Sequence, residues 1–222
     1  MLCGKRVILR AIEPPDLPNY VRWFADPEVL AYFGLYQPQN LAQEQTWYQR
    51  QNENSSSVNF AIDFEGRHVG GCGFANIDAK NQQAEVGLFI GEKALWDQGL
   101  GKDVLATLVN YGFDFLNLHR IYLRVFANNQ RAVHAYEQIG FVHEGRFRET
   151  KWRHGRWLDL LYMMSYAPNG GPGGRSHGPD APSAMSGRAP AAIIAGKTRR
   201  PRPAWDIAPA SGWCGTGKPR PR

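Results

Sequence analysis

Between residues 57 and 127 the apolar residues change their period twice. SVNFAIDF (57–64), HVGGCGFANID (68–78) and AEVGLFI (84–90) are strand-length runs rich in β-branched and aromatic residues. LATLVNYGFDFLNL (105–118) repeats every three to four residues, and HRIYLRVFA (119–127) alternates again. A period of two marks a half-buried strand, and a period of 3.6 marks a helix with one apolar face. A strand, a crossover helix and a second strand in direct succession call for at least one parallel pair in the sheet. The first two runs meet at the turn EGR, with Gly66 in it, and read as a hairpin; the polar KNQQ links the second to the third.

The flanks complete the order. KRVILRAI (5–12) alternates as a first strand, and Asp16, after Pro14 and Pro15, is placed to cap a helix over LPNYVRWFA, stopped at Asp26-Pro27. EVLAYFG (28–34) reads as a short helical turn and LAQEQTWYQRQNE (41–53) as a second helix. Downstream, NQRAVHAYEQIG (129–140) is a helix ending at Gly140, and two antiparallel strands join at His154-Gly155. The order β-α-α-β-β-β-α-β-α-β-β gives a mixed α/β domain over residues 1–167, with a central, mostly antiparallel sheet of about seven strands flanked by helices.

Composition separates the rest. Residues 168–222 hold nine Lys/Arg against two Asp, with ten Pro and ten Gly, whereas the first 167 residues carry 17 basic and 18 acidic side chains. The tail lacks apolar periodicity and is expected to be disordered, because it cannot bury enough surface to offset the entropy of ordering. The pI of 9.3 therefore belongs to the tail. Binding of RNA or an acidic partner through that basic arm is unlikely on composition, since only Trp205 and Trp213 interrupt its charge with aromatic surface. Cys3, Cys72 and Cys214 are too far apart for a metal-binding spacing and suggest reduced thiols in a cytoplasmic protein. No apolar run approaches the length of a membrane span.

DQGLGKD (97–103), at the entry to the long helix, has the look of a phosphate loop. A Walker loop needs a hydroxyl after Gly-Lys, and Asp103 stands there. A dinucleotide fingerprint needs a small residue three places after Gly101, where Val104 stands, and needs its glycines directly after the strand. What remains is a turn whose backbone N–H groups, from about Gln98 to Asp103, open a helix N-terminus and favour an anion without magnesium, or else a plain glycine-rich helix entry.

Three segments in combination resolve that choice. Glu85-Val86-Gly87, Trp96 to Gly101, and Asn129-Gln130-Arg131-Ala132 through Tyr136 to Gly140-Phe141 resemble the GNAT superfamily of acyl-CoA-dependent N-acetyltransferases. The N-terminal VILRAIEPPDLPNYVRWFADPEVLAYFG and the ending EGRFRETKWRHGRWLDLLYMM resemble its branch of ribosomal-protein N-terminal, polyamine and amino-sugar acetyltransferases. The resemblance spans about residues 5–166. It implies a sheet whose third and fourth successive strands part at a bulge to admit acetyl-CoA. Leu88, Phe89 and Ile90 would then offer main-chain groups. Gln98, Gly99, Leu100, Gly101 and Lys102 would hold the pyrophosphate, and Asn129 and Arg131 would approach pantetheine and phosphates. The implied acceptor is a primary amine of a protein N-terminus, a polyamine or an amino sugar. Members are often homodimers.

Acetyl transfer to an amine needs removal of an amine proton, a donor for the carbonyl oxygen, and an acid for the leaving thiolate. The resemblance gives the acid role to Tyr136, two helical turns after Asn129 on one helix face; otherwise Tyr136 is a packing residue. Glu85, on the same side of its strand as Gly87 and Phe89, is the base candidate, with an ion pair as the alternative. The thioester is already activated, so Cys72 is not needed as a nucleophile. His119, His134 and His143 have no metal-ligand spacing, and no metal is called for. A catalytically silent acyl-CoA-binding module is the remaining reading of the same motifs.

Overall fold

The structure, a computed structural model, describes residues 1–167. The expectation of a disordered basic tail, with Trp205, Trp213 and Cys214, lies outside the described residues. Eight strands form one sheet: β1 (Leu2–Cys3), β2 (Val7–Arg10), β3 (Val58–Phe64), β4 (Arg67–Asp78), β5 (Gln83–Ile90), β6 (Arg120–Phe126), β7 (Val142–Arg153) and β8 (Arg156–Tyr166). Their spatial order is β1-β2-β3-β4-β5-β6-β8-β7. The strand beyond the predicted seven is β1, two residues that fold back on Leu9 and Ile8 and carry no periodicity of their own. The helices are α1 (Leu17–Phe24), α2 (Pro27–Leu30), α3 (Leu41–Glu53), α4 (Leu100–Asp114) and α5 (Gln130–Gln138).

Every pairing is antiparallel except β5 with β6, the strands that α4 connects. That contact lasts three residues: Gln83, Ala84 and Glu85 lie opposite Arg120, Ile121 and Tyr122. Beyond it β5 stays with β4 as far as Ile90, and β6 stays with β8 as far as Phe126, so the two strands part. A register shift between Ala75 and Asp78, with Asn76 in the left-handed region at φ 52°, bends β4 beside the start of β5. A bulge of this kind raises the local twist and turns a strand away from its neighbour. The expected divergence is present, and the bulge is in β4, one strand away from the gap.

Alternation along β5 and β6 divides two apolar clusters between the faces of the sheet. Val86, Ile121, Leu123 and Val125 pack with Leu105 and Leu108 of α4. Phe89 belongs to the opposite face, ringed by Tyr20, Trp23, Phe24 and Phe33 at centroid distances of 5.9, 5.8, 5.4 and 5.2 Å. Aromatic pairs of this geometry add roughly 0.5–1.5 kcal/mol each beyond area burial. Gly91 must be glycine, because a Cβ there would lie 2.1 Å from the Trp23 ring.

Two carboxylates serve differently from the expectation. Asp16 makes no side-chain cap for α1; its oxygens accept from Arg10 at 2.7 and 2.8 Å and from the Glu13 N–H at 2.8 Å. Burial alone would raise the Asp16 carboxyl, yet the Arg10 and Glu13 hydrogen bonds hold it below the ordinary carboxylate range. Asp103 accepts the N–H groups of Lys5, Arg6 and Val7 at 2.9, 2.6 and 3.1 Å. The residue that rules out a Walker loop is thus the staple that ties the chain start to α4.

Candidate active site

Where β5 and β6 part, a cavity of about 560 Å3 opens, continuous from the N-terminus of α4 past α5 to the loops around α2. Its lining includes Glu85, Leu88, Phe89, Ile90, Gly99, Leu100, Gly101, Lys102, Asn129, Arg131 and Tyr136. The structure therefore brings together every predicted site residue except Gln98. That residue is turned away: its carbonyl accepts from Arg6 Nη1 at 2.8 Å and its amide donates to the Ala94 carbonyl at 2.8 Å.

At one end, Gly99 begins α4 at φ 77°, a left-handed conformation that glycine adopts without a Cβ penalty. The first N–H groups of a helix have no intrahelical partner and sit at the positive end of the dipole. A Cβ at Gly101 would meet nothing closer than Leu88 Cδ1 at 3.8 Å, so a ligand can approach the backbone there. Two cations flank this end. Lys102 Nζ donates to Gln138 Oε1 at 2.7 Å, and Arg131 lies 4.5 Å above the Trp96 ring and 3.6 Å from Asp97. Trp96 is the shelf on which Arg131 rests. Its indole N–H also occupies the Ile90 carbonyl at 2.8 Å, so that oxygen is already engaged.

In the middle, Asn129 caps α5, its Oδ1 accepting from the Ala132 N–H at 3.3 Å. Tyr136 follows on the same face, partly buried and 6.0 Å from the Phe141 ring. Among the described residues its hydroxyl has no hydrogen-bond partner, and burial pushes its pKa up to about 12. The phenol is therefore protonated at neutral pH and available to donate.

Glu85 lies at the apex, where the parallel contact ends. Arg124 grips it from β6, with Nε 2.6 Å from Oε1 and Nη2 2.9 Å from Oε2, while Asn76 Nδ2 reaches Oε2 at 3.1 Å. Glu85 as a whole is 8 % exposed. A carboxylate oxygen has two lone pairs, so Oε1 keeps one for a further donor. Arg124 was missed in the sequence, although Arg120, Tyr122 and Arg124 alternate with Ile121, Leu123 and Val125 and so face Glu85's side of the sheet.

Cys72 is not a nucleophile candidate: it is 1 % exposed in the core, and burial pushes its thiol far up. Among the described residues no three His, Cys, Asp or Glu converge as a metal site, and no helix is long and apolar enough to cross a membrane.

A sheet opened at its parallel pair, over a glycine-started helix and a free tyrosine, defines an acyltransferase of the GNAT type. Comparison with known proteins agrees. Residues 6–142 match the family described as Acetyltransferase (GNAT) domain. The chain is 29 % identical over 169 residues to the uncharacterized N-acetyltransferase p20 of Bacillus licheniformis, covering 74 % of this chain and 94 % of that protein. It is 26 % identical to the spermidine N(1)-acetyltransferase of Vibrio cholerae, covering 72 % and 92 %. A crystal structure of spermidine N-acetyltransferase from Vibrio cholerae with CoA and spermine superposes with a TM-score of 0.70 at 25 % identity, over 73 % of this chain and 96 % of that one. The chain belongs to the GNAT acetyltransferase family and is an N-acetyltransferase.

Proposed function

We propose that the protein transfers the acetyl group of acetyl-CoA directly to a primary amine, with both substrates held in the cavity between β5 and β6. The observation that carries this reading is the continuity of that cavity. It joins an anion-favouring helix start, unpaired strand edges, a protonated tyrosine and a buried carboxylate. The residues suit acetyl-CoA: Gly99 to Lys102 and Arg131 would face its phosphates, and the free edge of β5 at Leu88 and at the N–H of Ile90 would face its amides. Asn129 Nδ2 has no other partner among the described residues. When bound, the thioester supplies an activated acyl group, so this chain need provide no nucleophile.

The chain's own groups then move protons and hold atoms. Glu85 takes the amine proton through water at the free lone pair of Oε1. The main-chain N–H at Leu88 steadies the carbonyl oxygen, as preorganised dipoles do. As the amine nitrogen bonds the acyl carbon and the carbon–sulfur bond breaks, Tyr136 gives its proton to the sulfur. The acceptor belongs to the amines that the resemblance implies: a protein N-terminus, a polyamine or an amino sugar. Calorimetry with acetyl-CoA and a thiol-release screen across these amines tests the reading. Absence of binding at millimolar acetyl-CoA rejects it, and binding without release from any amine reassigns the fold to acyl-CoA sensing.

A further inference from the structure

The charges at the acceptor end of the cavity are unequally paired, and this inference rests on the transferase reading above. Its two carboxylates are occupied: Glu85 by Arg124, and Glu28 by Lys93 at 2.8 Å. Its two further cations, Lys151 and Arg153, stand two apart on β7 and both line the cavity. Among the described residues neither has a carboxylate partner. Arg153 Nη2 donates to the neutral carbonyls of Phe33 and Leu35, its guanidinium lies 4.2 Å over the Tyr36 ring, and its Nε–H is enclosed without a partner. The Lys151 ammonium has no hydrogen-bond partner among the described residues, while its backbone pairs with Leu158 of β8. Arg156, opposite Arg153 in the hairpin register, is exposed.

We propose that the acceptor is an amine bearing an anionic group, a carboxylate or a phosphate, which Lys151 binds in the field of Arg153. A polycation would meet two uncompensated positive charges here and no free carboxylate. Like charges brought together in a partly desolvated site are strongly disfavoured. The aromatic wall of Tyr32, Tyr36 and Phe126 suits the body of such an acceptor between its amine and its anion.

The test is calorimetric binding of matched amines to the CoA-loaded protein: serine against serinamide, glucosamine 6-phosphate against glucosamine, and spermidine. At least one anionic member is expected to bind about tenfold tighter than its neutral partner, the effect of one charge-assisted contact. Which pair shows it tells carboxylate from phosphate. Lys151→Glu should abolish that ratio and Lys151→Arg should keep it, with melting temperatures confirming that both variants fold. Equal affinities within both pairs, spermidine binding more tightly than every anionic amine, or an unchanged ratio in Lys151→Glu overturns the proposal. Thiol release is followed separately, so failure of catalysis is distinguishable from failure of anion recognition.

Discussion

Arg124 holds both oxygens of Glu85, at 2.6 and 2.9 Å, across the last point at which β5 and β6 touch. The pair closes the apex of the cavity and is mostly dry, with side-chain exposures of 29 % and 10 %. Removing the cation alone strands a buried carboxylate. Arg124→Met should therefore cost about 3 kcal/mol, and Arg124→Met combined with Glu85→Met should recover most of it. Thermal melts of the two variants check this; equal losses in both would show that the pair contributes packing only.

Activity gives the second reading of the same carboxylate. Glu85→Gln keeps the shape and one acceptor oxygen for Arg124 but cannot take a proton. If Glu85 is the base, turnover should fall by roughly 100-fold near pH 7, and the loss should shrink as rising pH supplies free amine. A loss independent of pH would limit Glu85 to positioning Arg124.

Tyr136 is tested by deleting one oxygen. Tyr136→Phe should lower turnover by about 100-fold while leaving acetyl-CoA affinity within roughly twofold, because among the described residues the hydroxyl has no hydrogen-bond partner. With its pKa pushed up to about 12, Tyr136 should contribute no alkaline limb to the rate profile below pH 10. A limb that lies below pH 10 in the parent and is absent in Tyr136→Phe would contradict this.

Gly101 separates fold from ligand. A methyl group there meets only Leu88 Cδ1, at 3.8 Å, and alanine favours helix by up to about 1 kcal/mol over glycine. Gly101→Ala should melt at or above the parent temperature yet bind acetyl-CoA at least about tenfold more weakly. Gly99→Ala, strained at φ 77°, should lose stability as well. Unaltered affinity in Gly101→Ala would move the pyrophosphate elsewhere.

Glu44, on α3, is 2 % exposed, and burial pushes its carboxyl up from 4.5 to about 7. The folded chain then holds a proton that the unfolded chain releases near pH 4.5. Stability from this group is full below pH 4.5, falls as pH rises, and is lost above about 7. Glu44→Gln should match the parent at low pH and exceed it by about 2 kcal/mol at pH 8. Denaturant titrations at both pH values check the sign.

The strands from β2 to β8 and the five helices were legible, most of them because they bury one face and so show its period; β7, with no buried residue, was read from its place before the His154-Gly155 turn. Helix α4 and its flanking strands even dictated the single parallel pair. β1 was not legible, since two residues cannot show a period. Asp16 looked like a helix cap locally but was claimed by Arg10, six residues earlier in sequence and on a neighbouring strand. The residues that line the cavity beside α4 were readable because they lie in three short motifs, on β5, at the α4 entry and at the start of α5. The acceptor half was not, because Arg124 on β6 and Lys151 and Arg153 on β7 come from separate strands and meet Glu28 of α2 only when the sheet is assembled. Gln98 shows what a motif alone does not tell: it occupies the expected position in the loop, yet its carbonyl and side-chain amide are taken by Arg6 and Ala94.

The three-residue contact between β5 and β6 has a mechanical consequence. It leaves the sheet as two antiparallel plates, β1 to β5 and β6 to β8, laced together at one end like the covers of a book. A ligand whose amides bond both free edges would act as the missing stitching. Substrate loading would then set the stiffness of the sheet, and slowed amide exchange at Leu88 and Arg124 on adding CoA would register the book being closed.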